Sequence, residues 1–203
     1  MTEVDLNSVS FEKAYFSLDV TALAAIVFPE IARKALLAHW DGDFRKSLDL
    51  YGRLDWQQFA NGSIRDLVRV DSLLLNAKMG HGIGQISIEL ERAKSPAVKF
   101  VCHYALACFF FWVDYRRAKL AILGMAKSAP RVRSRGLMLT VLFLYGHIVA
   151  NCGGRLRGFL IATFSLKVAQ FFERTSRPLD RFATRSIYSC YPIPFLFLTE
   201  QNG

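Results

Sequence analysis

No acidic residue occurs in residues 115–172, a window of 58 positions that holds 10 lysines and arginines. The 114 residues before it carry 12 basic and 14 acidic side chains, and the 31 after it carry four and three. The net charge of +9 on this 203-residue chain therefore arises almost wholly within that window. Solvated faces ordinarily mix both signs, so a long run without acids points to an anionic partner: nucleic acid, lipid headgroups or an acidic protein.

Other scarcities exclude whole classes of function. Four cysteines (Cys102, Cys108, Cys152 and Cys190) form no paired framework, and three of them lie in apolar helical text where cysteine acts as a small hydrophobe. A reducing compartment is the expectation. Cys102, His103 and Cys108 lack the C-x-x-C or H-x-x-x-H spacing of a metal site, and no thiol is paired with a base. No catalytic residue, metal or cofactor is expected, and the chain reads as a non-enzyme. The N-terminal "MTEVDLNSVS" is acidic and polar, unlike a signal peptide or an Arg-rich transit peptide. The three most apolar segments, "FVCHYALACFFFWV", "GLMLTVLFLYGHIVA" and "GFLIATFSLKVAQFF", run 14–15 residues each. A membrane span needs about 20, so these read as core helices.

Helical periodicity runs through nearly all of the chain. "FPEIARKALLAHW" sets Pro29 in a first turn, with Ile31, Ala35, Leu36 and Trp40 at helical spacing. In "DFRKSLDLYG", Asp43 is a candidate N-cap and Gly52 the stop, while Phe44, Leu48 and Tyr51 share a face. "SIRD" has the capping-box form, Ser63 capping and Asp66 reaching back, and opens a helix toward Met79. "GHGIG" (Gly80 to Gly84) lacks the Lys-Ser/Thr ending of a phosphate loop and follows a helix, so it reads as an interhelical turn. Helical text resumes at "QISIELERAK". Ser95-Pro96 marks a joint, followed by a long apolar helix over 97–125 and the basic loop "AKSAPRVRSRG". Helices over 137–150, 156–174 and 178–188 complete the reading, and two prolines extend the tail that carries Phe195, Leu196, Phe197 and Leu198. The expected fold is all-α: an N-terminal arm (1–24), an N-terminal lobe (25–95), a C-terminal lobe (96–190) and an extended tail (191–203).

Within the acid-free window, Arg116, Arg117 and Lys119 close one helix, and Arg131, Arg133 and Arg135 alternate through the loop. Arg155 and Arg157 flank Leu156 in "NCGGRLRGFLIATFS". A basic groove without acids suits a phosphate backbone, because each neutralised phosphate releases counterions. Gly153, Gly154 and Gly158 would let main-chain N–H groups approach phosphate oxygens. Of the aromatics nearby (Phe109, Phe110, Phe111, Trp112, Tyr115, Phe143, Tyr145 and Phe159), a few lining the groove would stack bases without reading sequence. The combination predicts binding of single-stranded nucleic acid with little sequence preference.

Several patches, in the same order, resemble the nucleocapsid proteins of phleboviruses and tenuiviruses. They are "DFRKSLDLYGRLDWQQFA", "RVDSLLLNAKMGHGIGQISIEL", "FVCHYALACF" and "LYGHIVANCGGRLRGFLIATFS", the last carrying the family's Leu-Tyr, Val, Asn, Leu-Arg-Gly and Ala-Thr-Phe. The resemblance covers about two-thirds of the chain. It implies two helical lobes with a basic groove between them, genomic single-stranded RNA held in the groove, and an N-terminal arm that docks on the neighbouring protomer. Arg69, Lys78 and Arg157 match positions that would hold phosphates, with Lys99 as an approximate substitute for another. Phe11, Tyr15, Phe16 and Leu18 would form the apolar face of the arm. Two departures stand out: the family's Arg-Gly-Asn-Lys-Pro reads "RVDSL" here, which adds Asp71, and its Ser-Arg-Val reads "KFV". The chain is also shorter than typical members.

The expected function is that of a viral nucleocapsid protein, encapsidating RNA and multimerising along it in the virion and the host cytoplasm, with a viral polymerase as a further partner. Its RNA-binding residues would be Arg69, Lys78, Lys99, Arg116, Arg117, Arg131, Arg133, Arg135, Arg155 and Arg157. Two alternatives stand beside it: a membrane-associated helical protein whose acid-free window faces anionic lipid, and a helical RNA-silencing suppressor that binds duplexes by shape.

Overall fold

The computed structural model describes residues 3–111, 113–132, 134–175 and 179–189. Regular structure among the described residues is entirely helical, as the periodicity predicts. The helices are α1 (Glu3–Ser17), α2 (Val20–Ala24), α3 (Glu30–Asp41), α4 (Phe44–Gly52), α5 (Gly62–Lys78), α6 (Ile83–Arg92), α7 (Pro96–Phe110), α8 (Tyr115–Ser128), α9 (Leu137–Asn151), α10 (Arg155–Glu173) and α11 (Arg181–Ser189). Short 3-10 turns occupy Trp56–Gln58 and Ala129–Arg131. The tail from residue 190 onward lies outside the described residues.

Local chemistry sets most of the boundaries. Asp43 caps α4 by accepting from the Lys46 amide at 3.1 Å. Asn61, rather than Ser63, caps α5, its side chain accepting from Ser63 N at 2.9 Å and Ile64 N at 3.2 Å. Asparagine one turn ahead of Ile64 competes well for those orphan amides, and Asp66 turns to Arg65 instead of reaching back. Gly80 and Gly82 take left-handed φ of 85° and 81°, which makes "GHGIG" the α5–α6 turn. The single helix expected over 97–125 is two. Asp114 ends the apolar run with φ −151° and accepts from the amides of Arg116 (2.9 Å) and Arg117 (3.1 Å), starting α8 afresh.

The chain forms two compact units, Met1–Arg133 and Ser134–Gly203. The division falls within the basic loop rather than at Ser95-Pro96. Ser95 is a true joint, capping α7 through the Ala97 amide at 3.2 Å. Beyond it, however, α7 packs against α5, α6 and α8, with Phe100, Val101, Cys102 and Ala105 wholly buried. It is the central helix of the first unit.

α1 belongs to the same core. Phe11, Tyr15 and Phe16, expected to face a neighbouring protomer, are buried in the chain's own first unit. Phe16 meets Phe100 edge-on at 6.1 Å, and Phe11 meets Phe28 at 5.2 Å. Leu18, half-buried, takes a left-handed φ of 50° as α1 ends. Burying three large aromatics stabilises this placement strongly, at about 2 kcal/mol or more per side chain.

The second unit is built on the α9–α10 pair, with α11 against α9. Phe143, Ala162, Leu166, Ala169, Leu179 and Ile187 form its core. The two long helices approach closely through glycines. A Cβ on Gly158 would lie 2.3 Å from Ala150 N and 2.4 Å from Gly146 O, and one on Gly146 would lie 2.7 Å from Ala162 N.

Candidate nucleic-acid interface

In the first unit, the candidate basic residues fall into three settings. Arg69 on α5 is drawn toward α6, its guanidinium 2.9 Å from the buried carboxylate of Glu89. Lys78, at the end of α5, has its ammonium 3.4 Å from His39 Nε2 and 5.5 Å above the Phe44 ring. These two cations have local roles in holding helices together. The third setting is the surface of α7 and α8. Lys99 and Lys127 both act on His103, whose pKa is lowered first by burial and then by the charges of Lys127 and Lys99. The His103 ring lies flat where a Cβ on Gly124 would sit, 2.3 Å away, so glycine is what lets α7 and α8 meet there.

At the start of α8, Arg117 lies 5.4 Å from the Phe110 ring centroid and 3.5 Å from Asp114. Arg116 and Arg131 are exposed, the latter on the 3-10 turn. Arg133 lies outside the described residues. Lys127 was absent from the candidates; its spacing from Arg116, Lys119 and Leu123 on one helix was the available signal.

In the second unit, Arg135 precedes α9. Its amide donates to Asp180 Oδ2 at 2.7 Å, tying the loop to the start of α11 while its side chain stays exposed. The "NCGGRLRG" stretch is the α9–α10 turn. Gly153 supplies a left-handed φ of 95° with open space around it. Gly154 and Gly158 have a different role from the one expected. A Cβ on Gly154 would press on Val149 at 2.9 Å, and Gly158 is used by the helix crossing rather than by an approaching phosphate. No side chain caps the N-terminus of α10, and Arg155 and Arg157 project beside it, both exposed. A helix start with its orphan amides and two arginines carries partial and full positive charge together.

Across both units, every described basic residue of the acid-free window is exposed. The aromatics sort differently from expectation. Phe143 and Phe111 are buried, while Phe109, Phe110, Tyr115, Tyr145 and Phe159 are half-buried; Trp112 lies outside the described residues. Among the described residues of the window, Phe164, Phe171 and Phe172 on α10 are exposed instead.

Other chemistry is sparse. Among the described residues no group of three or more His, Cys, Asp or Glu could hold a metal ion. Cys102, Cys108 and Cys152 form no disulfide. No described helix is long and apolar enough to cross a membrane. No protein-family model, curated protein or solved structure matches this chain.

Proposed function

We propose that this protein is a viral nucleocapsid protein that binds single-stranded RNA through its phosphates, without sequence preference, and multimerises along it. One observation carries the reading. The window that has no acid also turns all its described cations to solvent. A polyanion suits such a surface, since each phosphate it neutralises releases counterions.

In this reading Arg116, Arg117, Arg131, Arg135, Arg155 and Arg157 contact phosphates, with Lys99, Lys119 and Lys127 as further contacts. Arg69 and Lys78 support the surface from within the first unit. A two-lobed form with a basic groove and an N-terminal arm belongs to the proposal as the resemblance implies it. The arm would have to withdraw Phe11, Tyr15 and Phe16 from the core that holds them in the single chain.

The test is size-exclusion chromatography of protein purified without detergent, read at 260 and 280 nm. A large particle with nuclease-resistant RNA is expected. A monomer free of nucleic acid that also fails to bind added single-stranded RNA would overturn the reading. Preference for duplex RNA would select the silencing-suppressor alternative.

A further inference from the structure

The outer face of α10 is apolar apart from Lys167. At 100° per residue, Leu156, Leu160, Phe164, Lys167 and Phe171 fall within an arc of about 80°. Gly158, Ala162, Ser165 and Ala169 fall on the opposite side and are buried. The four apolar side chains of the outer arc are 74%, 59%, 61% and 64% exposed. A contiguous patch of that size and composition is uncommon on a surface without a partner.

We infer that this face seats the second unit on an anionic phospholipid leaflet, with α10 lying in the plane of the interface. The charge pattern selects that occupant. Arg155, Arg157 and Lys167 are the charges along the helix before Glu173, all of one sign. Leucine and phenylalanine would enter the acyl boundary while Arg157 at its edge and Lys167, on its long stem, reach headgroup phosphates. RNA supplies phosphates but no match for Leu156 and Leu160, which offer no aromatic face for a base. A second copy apposed through the same face would set like charges against one another.

A second feature of the unit agrees with lipid. Between α9 and the C-terminal part of α10 lies a groove of about 390 Å³, lined by Met138, Leu139, Val168, Phe172 and Leu179, with Arg135 as its charged residue. An apolar slot with a cation beside it has the two-part chemistry of an acyl chain and its phosphate.

The inference goes beyond the RNA reading and stands without it. Its test is flotation of the full chain, freed of RNA, with vesicles of phosphatidylserine and phosphatidylcholine or of phosphatidylcholine alone. Flotation with the anionic vesicles only is expected. The Leu156→Ser, Leu160→Ser variant keeps every charge and every ring and should lower vesicle partitioning more than about tenfold. Its RNA affinity should stay within about twofold, since the phosphate-binding arginines are intact. Both positions are exposed, and a thermal melt by circular dichroism checks the fold; if it shifts, Phe171→Ser replaces the double variant. Absence of flotation, or equal flotation of the variant, overturns the inference. Loss of RNA binding together with flotation would assign the face to RNA. A concentration-dependent dimer that the variant dissociates, with no flotation, would assign it to a second copy.

Discussion

The Tyr15 hydroxyl donates a 2.6 Å hydrogen bond to Oδ1 of Asp71, linking the N-terminal helix to the middle of α5. The other carboxylate oxygen receives the Tyr51 hydroxyl at 2.8 Å and lies 2.8 Å from His39 Nδ1. Four helices thus converge on one fully buried carboxylate. Burial by itself would raise the Asp71 pKa. The charge and hydrogen bond of His39, with the bonds from Tyr15 and Tyr51, outweigh burial and hold it below its ordinary value of 3.8. Asp71 is the acid in "RVDSL", and this network is its setting in the first unit.

Removing that carboxylate should be severe. Asp71→Ala leaves two phenols and an imidazole buried around an empty site, and is expected to cost about 3–5 kcal/mol. Urea denaturation followed by circular dichroism checks it. A loss under about 1 kcal/mol would mean the network is not formed in solution.

The helix crossing in the second unit is tight enough to exclude one methyl group. Gly158→Ala would place a carbon 2.3 Å from backbone, where only a shift of α10 against α9 can relieve it. The expected loss is about 1–3 kcal/mol, visible as a lower melting temperature. Gly52→Ala, with open space around it, serves as the control.

Acid should weaken the fold through His147. Burial disfavours its charged form and lowers its pKa from 6.5 to about 4. As pH falls below 6.5 the unfolded chain takes up the proton first, so stability is complete above that value and declines toward pH 4. The total effect is on the order of 3 kcal/mol. His103, also lowered, acts in the same direction. Urea midpoints from about pH 7.5 down to about pH 4.5 should fall for the native chain and fall less for His147→Gln. Equal slopes would exclude His147 as the source.

The arginines at the start of α10 should contribute affinity without sequence preference. Arg155→Ala with Arg157→Ala is expected to weaken binding to all single strands alike. It should also flatten the salt dependence by about 1.4 in the log–log slope. Fluorescence anisotropy with two unrelated oligonucleotides across a salt series measures both. An unchanged slope would remove these residues from the interface.

Thiol labelling offers a direct check on packing. Cys152 is exposed at the α9–α10 turn, whereas Cys102 is buried and its pKa is raised to about 12 by burial and then by the nearby Glu89 charge. Iodoacetamide followed by peptide mass spectrometry should modify Cys152 readily and Cys102 only after unfolding. Prompt labelling of Cys102 in the native protein would contradict the α7 packing.

What a single sequence determines, in this protein, is local. Asp43 as a cap, Gly80 and Gly82 as a turn and the helical class itself were legible because each depends on neighbours within about four residues. So was the solvent exposure of the basic window, since isolated cations are costly to bury. The break at Asp114 was harder to see, because a capping carboxylate interrupts an apolar run without any proline or glycine to announce it. Three further features depended on contacts between distant segments. The core placement of Tyr15 and Phe16 required Asp71 and Phe100, from 56 or more positions away. The unit boundary at Arg133 rather than Ser95 followed from α7 packing on α5. The apolar outer stripe of α10 emerged only once Gly146 and Gly158 had chosen which side of that helix faces α9. Periodicity shows that a helix has apolar residues; the partner it docks against decides which of them are left in water.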